Sequence, residues 1–235
     1  MPSSRRWGCN ERTLTFLLKG AMTENEMSPS DSNVGIEPMQ PNDNRVMPIW
    51  VLLSGGMDSA ACIEFYKKRA DIVRAIHIDY GQVAASQERR ASLSVARYYD
   101  VSLSVLEWRG AHPKGGGEIV GRNAFLLAAS MMEIGDGRGI VAMGLHAGTP
   151  YFDCTEEFLG LMQQIADGYF GGRVRISAPF IRWSKRDIWE YCKINNVPID
   201  LTYSCERGAD QPCGKCLSCR DTEALRALQS VYDQT

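Results

Sequence analysis

From residue 47 onward, short apolar runs alternate with stretches whose apolar residues recur every three or four positions. The runs are typical of buried strands and the recurring positions of amphipathic helices. Strands that alternate with helices predict a parallel sheet with helices on both faces, an α/β fold. The strands are predicted at residues 49–53, 72–78, 101–108, 140–143 and 174–180. The helices are predicted at residues 59–66, 86–99, 123–134, 154–169, 184–193 and 222–231.

The pattern predicts three segments. Residues 1–46 are expected to be a flexible extension, because most of this segment is rich in polar residues and proline and has no sustained period. Residues 47–200 are expected to form the α/β domain, and residues 201–235 a small cysteine-rich segment with a terminal helix. A loop at residues 110–121 contains Gly and Pro, and we expect it to be mobile and near the carboxyl edge of the sheet.

The first predicted strand leads directly into Ser-Gly-Gly-Met-Asp-Ser at residues 54–59. Two glycines allow a sharp turn close to a ligand, and the following helix start offers free N–H groups and a favourable dipole to a phosphate. Ser54 and Ser59 add hydroxyl groups, and Asp58 could hold Mg²⁺ beside the phosphates. The loop is neither a Walker A loop nor a dinucleotide fingerprint. The alternative is a tight turn that binds no ligand.

A second cluster of chemically active residues lies near the end of the chain. Cys205, Cys213, Cys216 and Cys219 have the spacing C-x7-C-x2-C-x2-C. This spacing suits a closed, tetrahedral zinc site that would stabilise a segment poor in apolar surface. An iron–sulfur cluster is the competing prediction, because C-x2-C-x2-C also occurs in ferredoxins. Unrelated free thiols are a third, weaker interpretation.

Three more polar residues stand at predicted strand or helix ends, where open parallel sheets bind ligands. Arg122 could pair with a phosphate or a carboxylate, although a surface arginine at a helix start is, for this residue taken alone, the more common case. Asp153 could bind the substrate or cap a helix. Lys185 could neutralise a phosphate in the transition state or be a solvated helix-start lysine. The histidines do not have the spacing of a metal site.

Composition narrows the class of function. The chain has 235 residues, of which 44% are hydrophobic and 23% charged, as in an ordinary globular protein. A net charge of −2 gives no basic footprint for nucleic acid, so we expect a small-molecule substrate and no direct nucleic-acid contact. The sequence contains no membrane-length apolar run. Clustered rather than dispersed cysteines predict a metal site in a reducing cytoplasm.

Together these stretches resemble the 7-cyano-7-deazaguanine synthase family of the queuosine pathway, within the N-type ATP pyrophosphatases. The resemblance rests on the loop at 54–59, Asp-Tyr-Gly-Gln at 79–82, Arg122-Asn123, Gly144, Asp153-Cys154, Ser184-Lys185 with Asp187-Ile188, Thr-Tyr-Ser-Cys at 202–205, and the last three cysteines. The loop alone indicates the superfamily. The loop combined with the cysteine-rich tail is far more specific.

The resemblance implies a Rossmann-like sheet of the adenine-nucleotide α-hydrolase type and an ATP-dependent ligase. Such enzymes activate the carboxylate of 7-carboxy-7-deazaguanine with ATP, let ammonia form an amide, and dehydrate that amide to the nitrile. The implied cofactors are ATP, Mg²⁺ and Zn²⁺, and the implied assembly is a homodimer. The implied roles are cofactor binding by Leu53, Ser54, Gly55, Gly56, Met57, Asp58, Ser59, Ile78 and Gly144; substrate binding by Tyr80, Gln82, Arg122 and Asp153; catalysis by Asp58, Arg122 and Lys185; and metal binding by Cys205, Cys213, Cys216 and Cys219.

The chain departs from the family pattern at the tail. Glu206 stands where the family usually has Tyr, and Thr222 where it usually has Arg. One alternative is therefore a divergent relative that passes the activated carboxylate to another amine. Others are a tRNA thiolase, an ammonia-dependent amide synthetase, or a zinc-stabilised nucleotide-binding module without activity. The extension at 1–46 could serve a protein partner.

Overall fold

Five parallel strands form one sheet in the order β3-β2-β1-β4-β5. The computed structural model describes residues 47–110, 119–135 and 137–232. Its strands are β1 Ile49–Leu52, β2 Val73–Asp79, β3 Ser102–Glu107, β4 Gly139–Ala142 and β5 Val174–Ser177. Its α-helices are α1 Met57–Lys67, α2 Ala85–Tyr98, α3 Arg122–Ile134, α4 Glu156–Phe170, α5 Lys185–Ile194 and α6 Leu217–Tyr232. The predicted extension at 1–46 and residues 111–118 of the predicted mobile loop lie outside the described residues.

The central strand β1 is buried on both sides because its successive side chains belong to two separate cores. Ile49 and Val51 pack with buried residues of α1, α2, α5 and α6. Leu52 and the partly buried Trp50 pack with residues of α3 and α4. Alternation along a strand sends neighbouring side chains to opposite faces, so helices must cover both. The predicted α/β sheet with helices on both faces is confirmed.

The strand order creates a switch point beside β1. The chain builds β2 and β3 on one side of β1, then crosses to pair β4 with its other side. At such a point the connections that leave neighbouring strands diverge, and a crevice opens outside their carboxyl ends. The loop after β1 and the loop after β4 therefore face each other across the sheet edge.

The fifth strand is shorter than predicted. The apolar run extends to residue 180, but β5 ends at Ser177. Ala178 turns the chain by accepting a hydrogen bond from the Ile181 N–H at 3.2 Å, and Pro179 brings no N–H to a ladder. The rest of the run packs in the core as a turn, which hydrophobicity alone does not distinguish from a strand.

The starts of α4 and α6 differ from the predicted ones for reasons that the structure shows. Helix α4 begins after Thr155, whose side chain accepts a hydrogen bond from the Phe158 N–H, while Cys154 belongs to a 3₁₀ turn. Helix α6 begins at Leu217, immediately after Cys216, and so includes the last cysteine. In both cases the local cap or the cysteine-rich turn, rather than the apolar period, determines the helix start. No helix in the described ranges is long and apolar enough to span a bilayer.

The predicted start of α5 is confirmed as a capping box. The Ser184 side chain accepts a hydrogen bond from the Asp187 N–H, and the Asp187 carboxylate accepts one from the Ser184 N–H at 2.8 Å. Both bonds satisfy N–H groups that the helix itself cannot. The cap fixes the first helical residue, Lys185, at a defined position beside the sheet edge.

We expect Ser184→Ala to lower the free energy of unfolding by about 1 kcal/mol, the usual cost of losing a side-chain cap. Urea unfolding followed by circular dichroism measures the change. Ser94→Ala is a matched control, because Ser94 only bonds back to the Arg90 carbonyl within α2. That change should be neutral or slightly stabilising. Equal losses in both variants would contradict the capping role.

Candidate active site

A cleft of about 240 Å³ opens at the switch point, above the carboxyl ends of β1, β2 and β4. Its walls combine apolar side chains from the strand ends and α3 with polar groups from the connecting loops. The lining residues are Leu52, Leu53, Ser54, Gly56, Asp58, Ser59, Ile76, Ile78, Tyr80, Glu88, Arg122, Asn123, Leu126, Met143, Gly144 and Leu145. The predicted loop residues Gly55 and Met57 lie behind this surface.

The loop after β1 can take its shape only with glycine at residue 55. Gly55 has a φ of 88°, and a Cβ there would lie 2.6 Å from the Glu88 carbonyl oxygen. Ser59 closes the turn by donating a hydrogen bond to the Gly56 carbonyl at 2.8 Å, and Ser54 donates to Ser59 at 3.2 Å. Gly56 caps α1 without a side-chain bond. The first N–H groups of α1 therefore remain available for an anion.

Lys185 contacts this loop although it is 127 residues away from Asp58 in the sequence. The sequence predicted it as a charge-stabilising residue. Its Nζ lies 2.5 Å from Asp58 Oδ2, and His146 Nε2 lies 3.9 Å from the same oxygen. The other oxygen, Asp58 Oδ1, is buried and has no hydrogen-bond partner among the described residues. A buried carboxylate oxygen without a donor is costly. A cation bound at the cleft would satisfy it.

Gly144 brings the segment that follows β4 into direct contact with α1. A Cβ at this position would lie 2.7 Å from both the carbonyl carbon and the carbonyl oxygen of Asp58. Any side chain here would push against the first turn of α1, where the backbone cannot move without disturbing the loop. Gly144 is therefore required for packing, which the sequence did not reveal. Its contact with a ligand stays a prediction.

A polar network occupies the side of the cleft near β2. Gln82 accepts a hydrogen bond from the Tyr80 N–H at 2.9 Å and donates one to Glu88 Oε2 at 2.6 Å. Arg122 interacts with the Tyr80 hydroxyl and with the Glu88 carboxylate. Burial raises the pKa of Glu88, while the bond from Gln82 and the charge of Arg122 act in the opposite direction. The predicted substrate residues Tyr80 and Arg122 line the cleft, and Gln82 stands behind them.

Asp153 is engaged away from the cleft lining. Its Oδ2 accepts a hydrogen bond from the Asn123 N–H at 3.2 Å, and its carbonyl accepts one from the Asn123 side-chain amide at 3.0 Å. These bonds tie the segment before α4 to the start of α3, next to Arg122. The contact of Asp153 with substrate stays a prediction.

The four predicted metal ligands converge. The sulfur atoms of Cys205, Cys213, Cys216 and Cys219 lie within 4.8 Å of one another. Backbone N–H groups of Lys215 and Cys216 donate to Cys213 Sγ and lower its pKa to about 6. Sulfur atoms bound at about 2.3 Å around one tetrahedral ion lie nearly this close together. The cluster therefore fits a single metal ion.

The cysteine-rich segment is packed against the loop that follows β1. The Tyr203 N–H donates to the Gly55 carbonyl at 2.9 Å. A Cβ at Gly208 would collide with the Val83 carbonyl, and Asp210 accepts a hydrogen bond from Gln87 at 2.6 Å. The segment thus touches both the loop and the beginning of α2, so its folding affects the cleft.

Sequence reasoning missed two charged or titratable cleft neighbours. Glu88 lies three and seven residues before the buried Ala91 and Val95, on the apolar face of α2. A charged residue on that face was a detectable signal of function. The sequence indicates for His146 only a place near a predicted strand end and no metal-ligand spacing. Its approach to Asp58 depends on how the segment after β4 packs beside α1, which no local pattern reveals.

A strand, a glycine turn and an open helix start at the switch point of a parallel sheet, without a Walker lysine, fit the α/β fold of the PP-loop ATP pyrophosphatases. The sequence matches the family model described as Queuosine biosynthesis protein QueC over residues 49–114 and 118–229. The chain belongs to this family, and the predicted resemblance is confirmed.

Two relatives illustrate the similarity. The 7-cyano-7-deazaguanine synthase of Aquifex aeolicus (strain VF5) is 33% identical over 211 residues, which cover 77% of this chain and 97% of the relative. The enzyme of the same name from Synechococcus sp. (strain CC9311) is 31% identical over 207 residues, or 75% and 91%. The solved NMN synthetase of Francisella tularensis has 16% identity and a TM-score of 0.45 over 79% of this chain and 78% of its own.

We expect Gly144→Ala to destabilise the protein by about 1–3 kcal/mol, the usual cost of overpacking, because the new Cβ strikes the Asp58 backbone. It should also weaken ATP binding, since α1 and its loop must shift. Gly160→Ala is the control: its Cβ would meet nothing within 4 Å on α4, and a gain of about 0.5–1 kcal/mol is expected. Denaturant unfolding and ATP titration measure both effects. Unchanged ATP affinity in Gly144→Ala would contradict the packing argument.

Proposed function

We propose that this chain is an ATP-dependent ligase that converts 7-carboxy-7-deazaguanine and ammonia into 7-cyano-7-deazaguanine. The observation that carries the proposal is the family match across the whole described sheet, together with an open phosphate loop and Lys185 at its switch point. A flat, purine-like ring fits a cleft with apolar walls and a few polar groups.

The phosphate end of ATP is proposed to bind at the loop after β1. The first N–H groups of α1 and the hydroxyls of Ser54 and Ser59 would donate to phosphate oxygens. Leu53, Ile78 and Gly144 line the adjoining wall, where they would contact the nucleotide. Gly55, Gly56 and Met57 would act through the backbone, by keeping α1 and its N–H groups pointed at the ligand.

Charge neutralisation is proposed for Lys185, Arg122 and Asp58. Lys185 Nζ, which pairs with Asp58 at the loop, would stabilise negative charge that develops on the α-phosphate. The unpartnered Oδ1 of Asp58 suits a cation, and we propose Mg²⁺ because carboxylates and phosphates are its usual ligands. When bound, Mg²⁺ would neutralise the departing pyrophosphate.

The reaction proceeds in steps that need no covalent bond to the protein. A carboxylate oxygen of the substrate attacks the α-phosphate, and pyrophosphate leaves with the electron pair of the broken P–O bond. Ammonia attacks the activated carbonyl, AMP leaves, and a proton is lost to give the amide. A second ATP activates the amide oxygen in the same way, and loss of AMP and the amide protons yields the nitrile. The protein contributes orientation and charge.

The substrate is proposed to lie toward the polar network near β2. Arg122 would pair with its carboxylate as ATP approaches, and Tyr80 and Gln82 would fix the position of Arg122 and of the ring. Asp153 would contribute through the start of α3. The prediction of these contacts rests on the cleft geometry and on the family.

We propose Zn²⁺ as the ion of the cysteine cluster. Four thiolates leave no open coordination position, so the role is structural. A [4Fe–4S] cluster would attach its cysteines to separate iron atoms and needs a wider arrangement than sulfur atoms within 4.8 Å. The remaining sequence predictions stay proposals: the segment boundaries, a cytoplasmic homodimer, and a protein partner for the extension.

The product identifies the function. We expect the zinc-replete protein, incubated with 7-carboxy-7-deazaguanine, Mg-ATP and ammonium, to form a product with the mass of the nitrile. Lys185→Met should reduce turnover by about 100-fold or more, because a charge directed at the transition state is lost. Lys193→Met, at the exposed end of the same helix, is the control.

Mass spectrometry distinguishes the alternatives. An adduct with another amine would indicate a divergent relative, and absence of ATP turnover would favour a binding module. Either result contradicts the proposed reaction.

We expect one zinc per chain by elemental analysis, and Cys213→Ser should lose the metal and lower the melting temperature. The physical reason is that metal binding supplies folding free energy to a segment that lacks a core of its own. Cys154→Ser, a thiol outside the cluster, should keep the zinc. Iron with visible absorption in the purified protein would contradict the zinc assignment.

A further inference from the structure

One carboxylate in the cleft is not used by the proposed chemistry. Glu88 lines the same cavity as Ile76, Ile78 and Leu126, so an acidic group stands beside an apolar surface suited to a flat ring. It is half-buried on the inner face of α2. Arg122 is the cation that acts on its charge, whereas Lys185 pairs with Asp58.

The Glu88 carboxylate is held in place by a defined chain of hydrogen bonds. The Tyr80 N–H donates to Gln82 Oε1 at 2.9 Å, which fixes the orientation of that amide. The amide nitrogen therefore points at Glu88 Oε2, 2.6 Å away. One donor occupies part of one oxygen, and an ionised carboxylate can accept about four hydrogen bonds. The remaining capacity is available to a ligand.

The chemistry of an ionised carboxylate selects among flat rings. A guanine-type ring presents two adjacent donors, N1–H and the 2-amino group, which match the two oxygens of a carboxylate. An adenine ring presents a donor beside an acceptor nitrogen, whose lone pair faces a carboxylate unfavourably. Of the two rings in the proposed reaction, the substrate's is therefore the complementary one.

We propose that Glu88 accepts hydrogen bonds from the N1–H and 2-amino groups of 7-carboxy-7-deazaguanine and makes the cleft selective for a guanine-type ring. This inference rests on the proposed function and deepens it. It gives Gln82 a positioning role, and it places the acceptor on α2, where the charge of Arg122 also acts on it.

Glu88 could instead serve only to hold Arg122 through charge. The two roles differ in what they discriminate. A counter-charge for Arg122 affects every carboxylate substrate equally, whatever stands at position 2 of its ring. A ring-reading acceptor affects a substrate with the 2-amino group more than an analogue without it.

The experiment is calorimetric titration of the full chain with 7-carboxy-7-deazaguanine and with its analogue that lacks the 2-amino group. The proteins are wild type, Glu88→Gln and the control Glu190→Gln, an exposed glutamate paired with Arg186. Wild type and control should bind the complete ring about 10-fold or more tightly than the analogue. Glu88→Gln should lose about 10- to 100-fold in affinity for the complete ring and most of the discrimination, as expected for bonds to a charged group. Its KM for ATP should stay within about 2-fold of wild type.

Thermal unfolding separates this result from misfolding. Burial raises the pKa of Glu88, so its charge costs folding free energy at neutral pH, and Glu88→Gln should melt no lower than wild type. Equal loss for both ligands, or a changed KM for ATP alone, would overturn the assignment. A wild type that ignores the 2-amino group would overturn it without any variant. A wild type that binds neither ligand would overturn the proposed function as well, whereas tight wild-type binding with an unaffected Glu88→Gln overturns this inference alone.

Discussion

The candidate active site depends on the open N-terminus of α1, which lies between the carboxyl ends of the neighbouring strands β1 and β4. Helix α1 can present its first N–H groups because Gly55 turns with a φ of 88° against the carbonyl of Glu88, and because Gly144 lets the segment after β4 touch the Asp58 backbone. Neither contact tolerates a Cβ. The strand order of the parallel sheet creates the crevice. The two glycines allow the backbone segments beneath it to pack closely, so that no side chain enters the crevice at these positions.

The cysteine-rich segment supports that loop from outside the sheet. Tyr203 bonds the Gly55 carbonyl, and the cysteines hold the following turn together. The two departures from the family pattern also act within this segment. Glu206 accepts hydrogen bonds from the Ser218 N–H and hydroxyl at the start of α6, and Thr222 donates to the Ser218 carbonyl. Since both side chains serve the tail itself, they give no ground for a different acceptor amine.

Sequence reasoning succeeded where the signal is local. Each of these signals lies within about 15 residues: the apolar runs, the loop at 54–59 and the cysteine spacing. The structure confirms the sheet and the convergence of the four sulfur atoms. The pairing of Lys185 with Asp58 joins residues 127 apart. Its geometry therefore depends on the strand order. Glu88 was not predicted as a site residue, although it lies on the apolar face of α2. Glutamate is common in helices, so helix propensity alone does not distinguish it from a solvent-exposed residue.

The cleft has two chemically different ends, and this division explains how it can serve its reaction without a protein nucleophile. At the α1 end, N–H groups, hydroxyls and Lys185 favour negative phosphate. At the α2 end, Glu88 offers only acceptor atoms, which favour a ring rich in N–H groups. In the proposed binding mode, each ligand therefore meets groups of complementary character at its own end. Orientation of the substrate carboxylate toward the α-phosphate then follows from charge complementarity, and holding two reactants in such a geometry supplies most of the rate that a covalent intermediate would otherwise have to provide.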